Sequence, residues 1–131
     1  MISLVQKTIT IHADPRKVWE ALTESEFTKE YFFGCHVISD WKAGSSIIYK
    51  AQETVHVNGV IIRIEPGVFL QYQFPSPTGN IYKVSFDLAP TKGDTVLTVT
   101  QGDFDDEDRY EETSKGWDYV LHGLKEVVES Q

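Results

Sequence analysis

Apolar and polar residues alternate from the start of the chain. Val5, Ile9 and Ile11 share one parity, with Gln6, Thr8, Thr10 and His12 on the other, which predicts a half-buried strand over residues 2–12. Asp14-Pro15 then reads as an N-cap followed by the residue favoured at the first helical position, and Val18, Trp19 and Leu22 form the inner stripe of that helix. Thr23 or Ser25 is a candidate cap for a second short helix, in which Phe27, Tyr31 and Phe32 point inward and which Gly34 stops.

Beyond Gly34 the period shortens. Alternating runs at about 35–39, 46–51, 55–65, 68–74, 80–88 and 94–101 are broken by four turn clusters. These are Lys42-Ala43-Gly44, Pro66-Gly67, Pro75-Ser76-Pro77-Thr78-Gly79 and Pro90-Thr91-Lys92-Gly93-Asp94. Short strands with tight turns predict an antiparallel meander. Asn58-Gly59 reads locally as a hairpin turn or as a bulge within one longer strand. Tyr110, Thr113, Trp117, Val120, Leu121, Leu124 and Val128 then recur at helical spacing, which predicts an amphipathic helix of about five turns. The acidic run over residues 102–108 leads into it and complements its dipole. The order is strand, two helices, six strands, long helix: an α+β fold. The apolar face of the sheet must be buried, and only the C-terminal helix is long enough to cover it, so a curved sheet should wrap around that helix.

The inward parity of each strand gives a candidate interior. It comprises Ile47 and Tyr49; Val60, Ile62 and Ile64; Leu70, Tyr72 and Phe74; Tyr82, Val84, Phe86 and Leu88; and Leu97, Val99 and Gln101. Tyr49, Tyr72, Tyr82 and Gln101 place polar tips among aliphatics, and a buried polar tip needs a partner. Gly116, Val120 and Gly123 sit at i, i+4 and i+7 of the long helix, where each glycine costs about 1 kcal/mol relative to alanine. Either small helix residues leave a cavity whose phenols and amide orient a ligand, or the glycines permit close packing and the tyrosine tips reach the sheet rim.

Composition narrows the function classes. The 131 residues carry 12 Lys+Arg against 20 Asp+Glu, net −8, which argues against nucleic acid and against anionic membranes. Residues 103–131 hold 3 basic and 10 acidic residues, so net −7 of that charge belongs to the last helix and its lead-in. With 16 aromatic rings and 40% hydrophobic residues, a chain of this length should form one domain with a substantial core. One cysteine, Cys35, excludes an internal disulfide. No apolar run approaches the roughly 18 residues of a membrane span, and residues 1–13 lack a signal-peptide pattern; the expected location is cytoplasmic.

Several strings, in order along nearly the whole chain, resemble a known family. They are Ala13-Asp-Pro-Arg-Lys-Val-Trp-Glu-Ala-Leu-Thr23, Tyr31-Phe-Phe-Gly34, Asp40-Trp-Lys-Ala-Gly44, Gly59-Val-Ile-Ile-Arg-Ile-Glu-Pro66, Thr95-Val-Leu-Thr-Val-Thr-Gln-Gly102 and Gly116-Trp-Asp-Tyr-Val-Leu-His-Gly-Leu-Lys125. The sequence resembles the helix-grip superfamily of START and Bet v 1-like (SRPBCC) domains. Within it, the chain is similar to the family named for the activator of Hsp90 ATPase (the Aha1 C-terminal domain and its bacterial relatives). The resemblance implies the fold, and it implies one strand ending at Pro66 with Gly59 as a bulge. The activator that names the family also has a separate N-terminal domain that engages the chaperone, whereas this sequence corresponds to the C-terminal-type domain from its first residues.

Helix-grip proteins often enclose a cavity between sheet and C-terminal helix, and this favours the pocket. The candidate ligand-binding residues are Tyr49, Tyr72, Tyr82, Phe86, Leu97, Val99, Gln101, Trp117, Val120 and Leu121, with Trp41 at a possible mouth. The expected partner is a small, largely hydrophobic molecule, lipid-like or aromatic, bound without turnover. The alternative is a co-chaperone or other protein-interaction module. Enzyme activity of a cyclase or hydrolase sort is the weakest reading. The chain has no Gly-x-Ser-x-Gly and no phosphate-binding glycine loop. Its four histidines lack metal-ligand spacing. Cys35 and His36, adjacent in a strand, should face opposite ways. The run from Asp103 places Asp108 and Ser114 where a calcium loop needs glycine and glutamate. No catalytic residue, metal or cofactor is expected; only His56 could bring a titratable group inward, if Gly59 shifts the parity.

Overall fold

The computed structural model describes residues 3–76, 79–104 and 106–131. Ile2 of the first strand run, Pro77-Thr78 of the third turn cluster and Asp105 of the acidic run lie outside the described residues. The elements are β1 (Ser3–Ile11), α1 (Pro15–Thr23), α2 (Ser25–Tyr31), β2 (His36–Ser39), β3 (Ser46–Ala51), β4 (Thr54–Glu65), β5 (Phe69–Pro75), β6 (Ile81–Thr91), β7 (Asp94–Phe104) and α3 (Glu107–Glu129). The seven strands form one antiparallel sheet in the order β1-β7-β6-β5-β4-β3-β2. From β3 onward each strand pairs with the one before it, and β7 also pairs with β1, so that β1 and β2 are the two edges. Val18, Ala21 and Leu22 of α1 and Trp117, Val120, Leu121, Leu124 and Val128 of α3 join the inward sheet residues in one core.

Local chemistry accounts for most boundaries. Asp14 caps α1 by accepting from Lys17 N–H, with Pro15 at the first helical position. Asp106 caps α3 through the N–H groups of Asp108 and Arg109. The second helix departs from expectation: Glu24 occupies the cap position with no side-chain bond, and Ser25 lies inside the helix. The Ser25 hydroxyl donates instead to Val37 O at 2.7 Å, and Thr23 donates to Trp19 O at 2.9 Å. Both hydroxyls thus have partners that tertiary packing or the preceding turn supplies. Trp19 is half-buried, and Ala21 completes the inner stripe in its place.

Three strand expectations are corrected. Thr54–Glu65 is one strand, but Gly59 is not its bulge: it pairs regularly with Ile47. The extra residues are His56, between Val55 and Val57, and Ile62, between Ile61 and Arg63. Each reverses the alternation. Gly59 and Ile61 therefore face the core and Val60 and Ile62 are exposed, while Ile64, beyond the second bulge, packs against the core again. His56 is exposed. Glycine at 59 has a packing cause, since a Cβ there would come 2.4 Å from Gln73 O on the neighbouring strand. At the β6–β7 hairpin, Pro90 and Thr91 remain in the strand, and the turn is Lys92-Gly93 with φ of 51° and 86°, the two left-handed positions that suit a tight hairpin. The acidic lead-in is likewise shorter, because Gly102–Phe104 extends β7 and Phe104 pairs with Ser3.

Candidate binding groove

The chain reverses after α2 in a way that aims two adjacent rings in opposite directions. Phe33 and Gly34 both take positive φ, 52° and 75°, which lets Cys35 N–H reach Phe32 O at 2.9 Å. Phe32 turns inward and stacks on Tyr49, with centroids 4.5 Å apart. Phe33 stays 54% exposed and stacks on the exposed Tyr119 of α3 at 5.2 Å. A phenylalanine in the left-handed region costs of order 1 kcal/mol, and the stack on Tyr119 offsets part of it.

Between this corner and the N-terminal half of α3 lies a groove of about 320 Å³, open to solvent. Phe32 and Phe33 line it from the corner, Glu112, Thr113, Gly116, Trp117 and Val120 from α3, and Gln101 of β7 from the sheet. A Cβ on Gly116 would meet nothing nearer than Phe33 Cζ at 4.0 Å, so this glycine leaves open space. Gly123 does the opposite: a Cβ there would lie 2.9 Å from Tyr31 Cβ, so its role is close approach of α3 to α2.

The polar feature of the groove is the buried pair Trp117–Gln101. The indole Nε1–H donates to Gln101 Oε1 at 2.7 Å. An indole N–H can only donate, which fixes the oxygen of the amide toward Trp117 and leaves the NH₂ as the other end. Gln101 is 6% exposed, and its amide nitrogen makes no hydrogen bond to the described residues. A nearly buried side chain lining the groove thus carries a donor with no acceptor among the described residues.

Behind the groove the buried rings form a chain of contacts. Rings follow one another from Tyr49 to Tyr72 at 6.0 Å, on to Phe74 at 6.1 Å, to Tyr82 at 5.8 Å and to Phe104 at 4.8 Å. Burial pushes the phenols of Tyr31, Tyr49 and Tyr72 well above their usual range, and Tyr31 donates to Ala21 O at 2.7 Å. The Tyr82 hydroxyl is buried with no hydrogen-bond partner among the described residues. Burial also raises the Cys35 thiol, and His36 points away, exposed.

Of the residues singled out from the sequence, Gln101, Trp117 and Val120 meet at the groove. Tyr49 and Phe86 are in the core directly behind it, stacked on Phe32 and edge-on to Trp117 respectively. Tyr72, Tyr82, Leu97, Val99 and Leu121 are buried in the same core, and Trp41 is half-buried, packed on the core from the β2–β3 connection with φ of 57°. Phe33, Glu112 and Thr113 were not foreseen. Thr113 reads in the sequence as part of the helix stripe and Glu112 as its charged neighbour, and only the left-handed corner brings Phe33 over α3. Among the described residues no group of three His, Cys, Asp or Glu could hold a metal ion, and no helix is long and apolar enough to cross a membrane.

Comparison with known proteins bears on the whole chain. The profile of the family described as Activator of Hsp90 ATPase homolog 1-like protein matches residues 12–129. The chain belongs to this family. It has the helix-grip fold expected of Aha1-like domains. A solution structure from Cytophaga hutchinsonii is similar at 33% identity, with a TM-score of 0.80 and coverage of 99% of this chain and 97% of that one. A crystal structure of a Mesorhizobium loti protein shares the fold at 22% identity, with a TM-score of 0.86 and 98% of each chain covered. The Aha1 dimer from Colwellia psychrerythraea, solved in solution, shares it at 19% identity with a TM-score of 0.83, covering 97% of this chain and 96% of that one. No curated protein matches the chain in sequence.

Proposed function

We propose that this Aha1-like protein is a non-catalytic binding module for a small, largely hydrophobic molecule, held between the sheet and α3 at the Phe32–Phe33 corner. One observation carries the reading: an open groove of about 320 Å³ lined by aromatic rings contains a nearly buried amide whose donor has no acceptor among the described residues. Such a combination of apolar walls and few oriented polar groups is what small-molecule sites share. Tyr49, Tyr72 and Phe86 would support the walls from behind rather than touch the ligand. Nothing in the lining is arranged as a nucleophile with its base. The test is an NMR titration with small aromatic and aliphatic ligands that follows the Trp117 indole N–H and the Gln101 side-chain amide. Movement of both at saturable ligand concentration supports the reading; no movement of either across the set sinks it.

A protein-interaction role, as in co-chaperones, is a second reading, and the outer sheet face favours it. Ile38 of β2 and Val60 and Ile62 of β4 are exposed away from the helices, and exposed apolar residues near an edge strand suit a partner surface. The ATPase rate of a bacterial Hsp90 should change on adding the purified protein if this holds. An unchanged rate at saturating protein counts against it.

A further inference from the structure

We infer that the groove selects flat, neutral aromatic compounds bearing a carbonyl-type acceptor, and discriminates against carboxylates such as fatty acids. The inference rests on the binding reading above and names its ligand class.

Three features of the site lead there. The first is the sign of the polar group. Trp117 takes one lone pair of Gln101 Oε1 at 2.7 Å and turns that atom toward the indole, so the end of the amide left with no partner among the described residues is N–H, which pairs with an oxygen or nitrogen lone pair. A ligand that fills the groove without an acceptor leaves this donor cut off from water, which is the more costly outcome for a hydrogen-bonding group.

The second is charge. Glu112 is the charged residue in the lining, and neither lysine nor arginine lines the groove. The segment 103–131 that supplies most of the lining has net charge −7. A carboxylate entering here would lose water without meeting a cation and would face like charge at the mouth. A neutral carbonyl accepts the same hydrogen bond without that repulsion.

The third is shape. Phe32, Phe33 and Trp117 all line the groove, and Phe32 and Trp117 touch edge-to-face at 5.9 Å, so they present a continuous aromatic surface on which a flat guest can lie. Aromatic walls favour ring stacking and edge contacts with a planar guest. A volume of about 320 Å³ is at the small end of ligand sites, which suits a two-ring compound and leaves little room for a long acyl chain.

A matched trio tests this on the intact protein: acetonaphthone, isopropylnaphthalene and naphthoate, all substituted at the same ring position. They share ring system and size and differ in presenting a neutral acceptor, no acceptor, or an anion. Affinities come from Trp fluorescence, and the site from shifts of the Gln101 side-chain amide and the Trp117 indole N–H. The ketone should bind roughly three- to tenfold tighter than the hydrocarbon, the worth of one hydrogen bond, and should shift the Gln101 amide most. Naphthoate should bind more weakly than the ketone, with the gap narrowing as salt rises. In Gln101→Met the ketone-to-hydrocarbon ratio should fall to about one, a within-variant ratio that is independent of lost stability; if that variant does not fold, the wild-type ratio and the Gln101 shift decide. Hydrocarbon or naphthoate binding at the groove as tightly as the ketone overturns the inference and leaves the binding reading standing. If none of the three moves the groove resonances up to its solubility, the binding reading falls and the inference with it.

Discussion

At the scale of single residues, two buried polar groups in the same core have opposite fates. The Trp117 indole N–H and the Gln101 amide oxygen are paired, whereas the Tyr82 hydroxyl has no partner among the described residues. Trp117→Phe should strand the Gln101 oxygen and cost about 1–3 kcal/mol, read as a lower urea midpoint. Tyr82→Phe removes an unpaired group and should leave the midpoint unchanged or raise it by up to about 1 kcal/mol; a marked drop would mean that the hydroxyl has a partner. The inward position of Gln101 was legible from strand alternation, because Leu97, Val99 and Gln101 share one parity. Its partner was not, since nothing local connects residue 101 to residue 117. The direction of its free donor follows only from that pairing.

At the scale of elements, the glycines of α3 divide between the two explanations that the sequence left open. Gly123 lies against α2, where an added methyl meets Tyr31 Cβ at 2.9 Å. Gly123→Ala should therefore lower stability by about 1–3 kcal/mol through overpacking, despite the helix propensity it gains. Gly116 faces the open groove, with nothing nearer than 4.0 Å. Gly116→Ala should raise stability by up to about 1 kcal/mol, and chemical denaturation of the two variants side by side checks the contrast. The strand β4 shows the limit of pattern reading. His56 and Ile62 are ordinary strand residues in composition, and only the register against β3 and β5 makes them bulges. Reading the alternation through Ile62 without a break therefore put Val60 and Ile62 on the wrong face while leaving Ile64 on the right one.

At the scale of the molecule, the buried tyrosines couple stability to alkaline pH. Burial holds the phenols of Tyr31, Tyr49 and Tyr72 protonated well above their normal range. The unfolded chain releases those protons near pH 10, so above that value it binds fewer protons than the folded state. The stability these groups contribute is thus complete below about pH 10 and falls as pH rises beyond it, by up to about 1.4 kcal/mol per pH unit for each tyrosine. Thermal midpoints across roughly pH 9 to 12 should drop steeply and together with the rise in tyrosinate absorbance. Tyr49→Phe should make the slope shallower.

The sequence by itself determined the order of elements, the inward faces of β1, β3, β5, β6 and β7 and the stripe of α3, because alternation, helical period and turn residues are local consequences of backbone geometry. It also located the charge, since net −7 of the −8 falls after residue 102. Tertiary structure alone decided what the interior holds. Rings from β3, β5, β6 and β7 follow one another through the core, and a groove opens at the corner where Phe33 takes a left-handed conformation beside Gly116. Whether volume remains between packed side chains depends on register shifts and ring orientations that join residues far apart in the chain, and no local pattern encodes them.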